Sequence, residues 1–244
     1  MRKHILTAFL CGCSFQFAVA AEGVSADTSV VAINILLLPD PDMTWHARDL
    51  NRQLRTNDPS GFALDETHVP HISLLHQYVR SQDLPRIFEA VEPIATRAHL
   101  VGRELSAKGV EHESSNGRET NTLSVQKTPE LAALQQELIA ALQPYRQAGG
   151  TAAAFYTRGD SPTVDASSID YVASFVEKRS GDQFKPHITL GSSDLAFAEK
   201  LKAQETKPFT FKIADIGIFQ LGNSGTARKE LWRLSAHSAG SSDR

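Results

Sequence analysis

The stretch VPHISLLH, residues 69–76, has a near copy in KPHITLGS, residues 185–192. Both copies contain Pro-His-Ile, then a hydroxyl residue, then Leu. The repeat is too short to be the unit of a solenoid, and it is too specific to be a generic strand. We therefore expect each copy to supply half of one functional site.

Each copy is predicted to be a strand that presents a polar pair. Proline before each histidine favours an extended backbone, and residues two apart on a strand share a face. His71 and Ser73 should therefore point in one direction, and His187 with Thr189 should do the same in the second copy. The aliphatic residues between them are expected to face a core: Ile72, Leu74, Ile188 and Leu190.

Two such pairs facing one another suit a phosphate ester. A histidine with an ordinary pKa of about 6.5 can take or give a proton near neutral pH. In-line attack at phosphorus needs a base on one side and an acid on the other, which two histidines can provide. The hydroxyls can donate hydrogen bonds to the non-bridging oxygens. Such a site would require no metal and no cofactor.

A single His-x-Thr on a strand is usually just a polar outer face, and only its duplication indicates a functional site. PHISL at 70–74 and PHITL at 186–190 resemble the paired motifs of the two-histidine (2H) phosphoesterase superfamily, which includes the RNA 2′-5′ ligase-like cyclic phosphodiesterases. The resemblance covers most of the chain. It implies a bilobal fold with pseudo-twofold symmetry and a central cleft lined by both motifs.

The resemblance also implies metal-independent hydrolysis, or ligase-like transfer, at 2′,3′-cyclic or 2′-5′ phosphodiesters. By position, His71 and His187 would be the catalytic pair, and Ser73 and Thr189 would bind phosphate. Serine at position 73 keeps the hydroxyl of the usual threonine. The implied partner is a small nucleotide or an RNA end, while the sequence says nothing about the oligomeric state.

The charge of the chain argues against a grip on long duplex nucleic acid. The formal net charge is −3, whereas binding a duplex requires a basic face. A local basic cluster could still hold a small phosphate ligand. Hydrophobic residues make up 41% and charged residues 22% of the chain, which is ordinary for a globular protein.

The first 20 residues resemble an export signal. Arg2 and Lys3 precede an apolar run, and AVA at 18–20 suits cleavage after Ala20. This predicts a periplasmic or secreted protein, without stable membrane insertion after cleavage. Lipid anchoring at Cys13 is the alternative. Both cysteines lie in the leader, so the cleaved chain would have neither disulfides nor a thiol nucleophile.

The rest of the chain is predicted to be an α+β protein. The patterns predict strands at 29–38, 69–75, 98–107, 119–126, 168–177, 184–190, 208–220 and 229–236. They predict helices from 42 to 56, from 81–83 to about 95, from 128 to about 145 and from 194 to 204, and loops at 112–120 and 221–229. We expect one bilobal domain over 21–244, with two pseudo-symmetric antiparallel sheets, helices outside, a central cleft, and a disordered tail from about 238.

Other residues offer weaker alternatives. His68, His71 and His76 could bind a metal, but Pro70 forbids the regular helix that this spacing would need. The basic residues near the motifs or in loops could reach a phosphate, although solvated surface charge is the simpler interpretation: Arg80, Arg158, Lys185, Arg228 and Lys229. The aromatic residues could stack on a base or belong to the core: Tyr156 and Phe184. Core positions are the simplest expectation for Trp45 and Trp232.

Two other kinds of protein compete with a cyclic phosphodiesterase. One is an exported protein that binds a nucleotide or phosphate ligand without reacting with it. The other is a metal-dependent hydrolase that uses His68, His71 and His76. A serine hydrolase is weaker still, because no G-x-S-x-G elbow appears.

Overall fold

The computed structural model describes residues 29–115, 117–159 and 161–235. Within these ranges the strands are β1 Val30–Pro39, β2 Ile72–Arg80, β3 Glu104–Ser115, β4 Arg118–Val125, β5 His187–Ser193, β6 Phe209–Leu221 and β7 Ala227–Arg233. The α-helices are α1 Pro41–Asn57, α2 Leu84–Arg97, α3 Pro129–Leu142, α4 Ala166–Ala173, α5 Phe175–Arg179 and α6 Leu195–Gln204. Short 3₁₀ turns occupy Ser81–Asp83, Gln143–Tyr145, Ala152–Ala154, Gly181–Gln183 and Asn223–Gly225.

The described strands form one antiparallel sheet in the order β1-β2-β5-β4-β3-β6-β7. β1 also pairs with β6, so six strands close into a ring to which β7 is attached. The pairing within this ring is shortest between β2 and β5, where Ile72 and Ile188 are the paired residues. The two motif strands are therefore sheet neighbours.

This pairing confirms an α+β protein with a large antiparallel sheet. The strands are joined into one sheet, where the sequence predicted two. The pseudo-symmetry of two lobes and the single bilobal domain over 21–244 stay predictions. The predicted leader and C-terminal tail lie outside the described residues.

β2 and β5 share a feature that their sequences did not predict. In β2, Leu74 is an extra residue between Ser73 and Leu75, where the register with β1 shifts. In β5, Leu190 is the extra residue between Thr189 and Gly191, where the register with β4 shifts. Each motif strand thus has a bulge at the same place in its motif. A bulge changes which face the following side chains occupy.

The helices begin where the sequence provides caps. Asp40 accepts a hydrogen bond from the Met43 amide at the start of α1, and Thr128 accepts one from Leu131 at the start of α3. Their apolar faces pack on the sheet in a core that includes Ile35, Leu37, Leu50, Leu54, Ile72, Ile87, Leu138, Ile188, Leu190 and Ile218. No described helix is long and apolar enough to span a bilayer.

Three further predictions are wrong. Residues 168–177 were expected to be a strand but form parts of α4 and α5. Much of the predicted loop 112–120 belongs to the hairpin of β3 and β4. Trp45 was expected in the core but is 63% exposed on α1, whereas Trp232 is buried as expected.

Candidate active site

The two motifs meet at the junction of β2 and β5. The pair Ile72 and Ile188 places the polar residues on either side of each isoleucine on one face of the sheet. If this register is continued by one residue, His71 lies opposite Thr189, and His187 lies opposite Ser73. His71 and His187 are then diagonal neighbours on this face, and the backbones of such neighbours are about 7–8 Å apart. One face therefore carries both imidazoles and both hydroxyls.

The buried side of each motif anchors this face. Ile72 and Ile188 are 1% and 0% exposed, and Leu74 and Leu190 are also buried. Asn51 of α1 links the two halves, because its amide donates to the carbonyl of Leu190 and to the carbonyl of Phe62, shortly before the first motif. The predicted aliphatic anchors are therefore in place, and Asn51 ties β5 to the segment that leads into the first motif.

Both motif histidines are held in the same tautomer. His71 Nδ1 lies 2.7 Å from the carbonyl of Val69, and His187 Nδ1 lies 2.7 Å from the carbonyl of Lys185. A carbonyl only accepts, so each Nδ1 must carry a proton. In the neutral ring, Nε2 is then the atom with a free lone pair. Each motif thus supplies a ring with Nε2 available as a base.

The surroundings of the two rings lower both pKa values. Burial lowers the pKa of His71 to about 4, and the hydrogen bond to Val69 opposes this while positive charge on His187 adds to it. Burial also lowers the pKa of His187, and the positive charge of Arg179 lowers it further. The hydrogen bond to the Lys185 carbonyl and the negative charge of Glu113 act in the opposite direction and raise this pKa. Both side chains keep part of their surface open. At neutral pH, therefore, both rings are uncharged and can still be reached from solvent.

The two hydroxyls differ in how they are held. Ser73 Oγ lies 2.9 Å from Asn34 Nδ2 and 3.0 Å from His76 Nε2. For the Thr189 hydroxyl there is no hydrogen-bond partner among the described residues. Both are partly exposed. The first hydroxyl is fixed by protein, whereas the second can rotate to meet a ligand.

His76 lies on the site face, which the alternation of residues in its strand does not predict. Strict alternation would put it on the face of Ile72 and Leu74, but the bulge at Leu74 returns it to the face of His71 and Ser73. Its ring is 2% exposed and stacks on Phe175 with centroids 4.5 Å apart. Burial, followed by the positive charges of His71 and His187, keeps its pKa well below the usual range.

Helices α4 and α5 form a wall beside this face. Tyr171 meets the ring of His76 edge-on at 5.4 Å, and the Arg179 guanidinium lies 5.4 Å from the ring of Tyr171. Arg179 is exposed. It is near enough to lower the pKa of His187, which Glu113 of β3 raises. Because residues 168–177 were predicted to be a strand, Tyr171 and Phe175 were missed, as was Arg179, which follows them.

His68, which the metal hypothesis combines with His71 and His76, is engaged by other side chains. His68 contacts the Arg228 guanidinium and lies 3.6 Å from Asp65 through Nδ1. No cluster of three or more His, Cys, Asp or Glu in the described ranges is arranged to hold a metal ion. Since a guanidinium beside His68 would repel a cation, this geometry does not suit a site built from His68, His71 and His76.

The other candidate residues are scattered. Arg158 and Lys229 lie over the ring of Tyr156, at 5.2 and 5.9 Å from its centroid, and Arg80 donates to Gln147. Lys185 is exposed beside the second motif, and Phe184 is part of the core. A surface cavity of about 310 Å³ between α2, α3 and β3 contains none of the motif residues.

Comparison with known proteins agrees with the paired motifs. The model of the 2′-5′ RNA ligase superfamily matches residues 39–225, which include both copies. No curated protein matches the chain. Among solved structures, the crystal structure of TT0787 of Thermus thermophilus is similar, with a TM-score of 0.46 and 13% identity over 83% of this chain and 96% of that one. The match over most of its length places this chain in the 2′-5′ RNA ligase superfamily, whose members are 2H phosphoesterases.

Proposed function

We propose that this enzyme is a metal-independent phosphodiesterase that opens 2′,3′-cyclic nucleotide phosphates, or cleaves 2′-5′ phosphodiesters. The observation that carries the proposal is the pairing of β2 with β5, which puts His71, Ser73, His187 and Thr189 on one face of the sheet with each Nδ1 engaged by a carbonyl. His71 and His187 act as acid and base, and Ser73 and Thr189 bind the phosphate.

In the proposed reaction one histidine accepts a proton from water and the other donates a proton to the leaving oxygen. The base takes a proton from water through Nε2, and the water oxygen forms a bond to phosphorus. The bond from phosphorus to the 2′ or 3′ oxygen breaks on the opposite side. The second histidine, protonated at both nitrogens, gives its Nε2 proton to that oxygen. The product is a phosphate monoester. The base then releases its proton to solvent and the acid takes one up, which returns the pair to its starting state.

The lowered pKa values fit the base more directly than the acid. A ring with a pKa near 4 is unprotonated at neutral pH and ready to accept a proton. The acid must hold a proton, and a bound phosphate anion would raise its pKa by favouring the charged ring. We assign the base to His71, whose pKa falls to about 4, and the acid to His187. Glu113 lies near enough to favour the protonated ring of His187, although burial and Arg179 lower its pKa more than Glu113 raises it.

The hydroxyls and the nearby cation suit a phosphate. Ser73 and Thr189 flank the two rings and can donate to the non-bridging oxygens, where negative charge accumulates. Arg179 lies beside Tyr171 on the same side and is exposed enough to meet a ligand. These features, with a formal charge of −3 for the chain, favour a small nucleotide or an RNA end over a long duplex.

A substrate panel tests this function. Purified protein with excess EDTA is incubated with 2′,3′-cyclic nucleotides, 2′-5′ dinucleotides and ADP-ribose cyclic phosphate, and products are separated by chromatography. We expect turnover of at least one substrate in EDTA, and a loss of about 10²–10⁴-fold in kcat for His71→Ala or His187→Ala. His99→Asn is the matched control, since His99 is exposed between α2 and β3 and asparagine tolerates its φ of 46°.

Other outcomes would replace the proposal. Tight binding of a nucleotide without product after long incubation would favour the exported binding protein. Activity that disappears in EDTA and returns with a divalent metal would favour the metal-dependent hydrolase. Full turnover by both alanine variants would show that these histidines do not do the chemistry.

Export is a separate part of the proposal. We propose cleavage after Ala20 and function in the periplasm or outside the cell, because Arg2 and Lys3, the apolar run and the small residues before position 21 fit a leader. The intact mass of protein recovered from cells decides this. A mature chain that begins at Ala21 supports it, and a lipid-modified chain that begins at Cys13 would replace it with membrane anchoring.

A further inference from the structure

Ser73 lies between two buried polar side chains that the paired motif does not include. Asn34 of β1 is 0% exposed and His76 is 2% exposed. Asn34 Nδ2 lies 2.9 Å from Ser73 Oγ, and His76 Nε2 lies 3.0 Å from the same atom. Both buried side chains therefore lie within hydrogen-bond distance of one hydroxyl oxygen.

The bulge in β2 creates this arrangement. The register pairs Leu36 with Ser73, and after the extra Leu74 it pairs Asn34 with His76. Without the extra residue, His76 would point to the other face of the sheet. The bulge thus brings together on one face the hydroxyl and its two partners.

The proton count on Ser73 leaves two arrangements. In one, the Asn34 amide and His76 Nε2–H both donate to Ser73 Oγ, so that the hydroxyl proton is free. In the other, Ser73 donates its proton to His76 Nε2, and Nδ1 of His76 must carry the ring proton. His76 Nδ1 has no hydrogen-bond partner within residues 29–115, 117–159 and 161–235.

The cost of an unpaired group separates the two arrangements. A buried N–H without a partner is rarer in proteins than a buried acceptor without one. Asn34 Oδ1 is unpaired in both arrangements among the described residues. The first arrangement leaves His76 Nδ1 as an unpaired acceptor, while the second leaves it as an unpaired N–H. The first arrangement is therefore favoured, and in it both lone pairs of Ser73 Oγ are occupied.

We propose that His76 and Asn34 are positioning residues that occupy both acceptor directions of Ser73 Oγ and so direct its proton at the substrate phosphate. This rests on the proposed function, because it assigns Ser73 the task of donating to a non-bridging oxygen. A donor aimed before the substrate arrives needs no reorganisation during the reaction. Neither residue touches the substrate; each acts through Ser73.

The second motif lacks this device. The residue of β5 that corresponds to His76 after the bulge is Ser192, and it donates to Asp58 at 2.6 Å. Thr189 has no hydrogen-bond partner for its hydroxyl in the part of the chain that the structure describes. The expected coupling is therefore between His76 and Ser73 and not between His76 and Thr189.

A double-mutant cycle on the cyclic nucleotide that the panel identifies tests this coupling. His76→Phe keeps an aromatic ring to stack on Phe175 but removes the donor. We expect it to lower kcat about 10-fold with little change in KM, against about 10²-fold for Ser73→Ala, which removes the hydroxyl. In the Ser73→Ala background, His76→Phe should cost less than about twofold more. With Thr189→Val the two losses should multiply.

A second measurement does not depend on activity. Nitrogen-15 spectra of the histidine side chains report which ring nitrogen of His76 carries the proton at pH 7. We expect Nε2–H. His76→Gln, which offers an amide donor, should recover part of the kcat lost in His76→Phe. Urea unfolding of each variant separates these effects from a loss of folded protein.

The outcomes separate this inference from the function. If the wild-type protein turns over no substrate of the panel, the proposed function is wrong. The ring nitrogen of His76 that carries the proton then decides by itself between the two hydrogen-bond arrangements at Ser73. An active wild type with a His76→Phe variant of equal kcat overturns the positioning role. A ring proton on Nδ1 of His76 overturns it as well, as does a loss that multiplies with that of Ser73→Ala.

Discussion

The two copies of the motif are nearly identical in sequence and differ in their surroundings. In the first, the hydroxyl of Ser73 is held between Asn34 and His76, and the pKa of His71 falls to about 4. In the second, the hydroxyl of Thr189 is unpaired among the described residues, and His187 feels the exposed charges of Arg179 and Glu113. The repeat supplies the same groups twice, and the neighbouring residues make them unequal.

This inequality separates the tasks of the two halves. The first half has a ring that stays unprotonated and a hydroxyl that is fixed in advance, which suits a base next to a preformed phosphate donor. The second half has an imidazole near a carboxylate and a hydroxyl that can rotate. This suits an acid placed beside a phosphate oxygen that moves as the cyclic phosphate opens. The comparison therefore predicts different responses to the same substitution in each copy.

The largest expected difference concerns the leaving group. With a 2′,3′-cyclic nucleotide, both His71→Ala and His187→Ala should lose about 10²–10⁴-fold in kcat. With a nucleoside phosphodiester that releases 4-nitrophenolate, the leaving oxygen needs no proton, so His187→Ala should recover most of its rate. His71→Ala should not recover, because water still needs a base.

Stopped-flow or steady-state release of nitrophenolate measures this, with His99→Asn as the control in a part of the surface away from the motifs. Recovery of His71→Ala in place of His187→Ala would exchange the two roles. Equal recovery of both variants, or of neither, would remove the division of tasks between the copies.

The next effect concerns the second hydroxyl. Thr189→Val keeps the shape of the side chain and removes its donor, so kcat should fall about 10²-fold. Thr189→Ser keeps a hydroxyl that is free to rotate and should stay within about threefold of wild type, since no buried partner holds the threonine in the described part of the chain. Steady-state kinetics on the same cyclic nucleotide measures both, and a Thr189→Val variant with unchanged kcat would exclude phosphate stabilisation by this residue.

The third effect is on stability. His71, His76 and His187 have lowered pKa values and stay neutral in the folded chain, whereas the unfolded chain takes up protons on them near pH 6.5. Between pH 6.5 and 5 the unfolded state binds more protons, so the free energy of unfolding should fall as the pH falls, by at most about 1.4 kcal/mol per pH unit for each histidine. Above pH 7 this contribution should be constant.

Urea unfolding at several pH values measures this slope. The first copy contributes two of these histidines, so His71→Asn together with His76→Phe should flatten the slope more than His187→Asn does. The depressed carboxylates Asp58, Asp65 and Glu119 act at lower pH, because their unfolded values lie at 3.8 to 4.5. An equal slope in wild type and in the double variant between pH 7 and 5 would contradict the lowered pKa values of the first copy.

Much of the site follows from strand alternation in the sequence. The rule that residues two apart share a face placed His71 with Ser73 and His187 with Thr189, and it placed the intervening aliphatic residues in the core. It failed at His76, because one extra residue in β2 reverses the alternation. The second copy contains the signal for this bulge: Gly191 adopts a φ of 142° directly after Leu190, and a glycine inside a strand often marks a bulge.

The wall of the site was missed because of its composition. Residues 168–177 contain Ile, Tyr, Val and Phe, which favour a strand. Their apolar positions at 169, 172, 175 and 176 have helical spacing, and this pattern was the better guide. The contact of Phe175 with His76 could not be predicted from either pattern, since it depends on how the helix packs over β2.

The smallest expected effect comes from changing the two charged side chains near His187. If His187 is the acid, kcat/KM should fall as the pH rises through its pKa, because the ring then loses the proton that it must donate. Removing the exposed carboxylate with Glu113→Gln should shift this alkaline limb to lower pH, and Arg179→Gln should shift it to higher pH. Each shift should be about a few tenths of a pH unit, since water and salt screen exposed charges. The acidic limb, assigned to His71, should not move in either variant. A shift of the acidic limb, with the alkaline limb fixed, would place the base in the second copy and so reverse the comparison between the two halves.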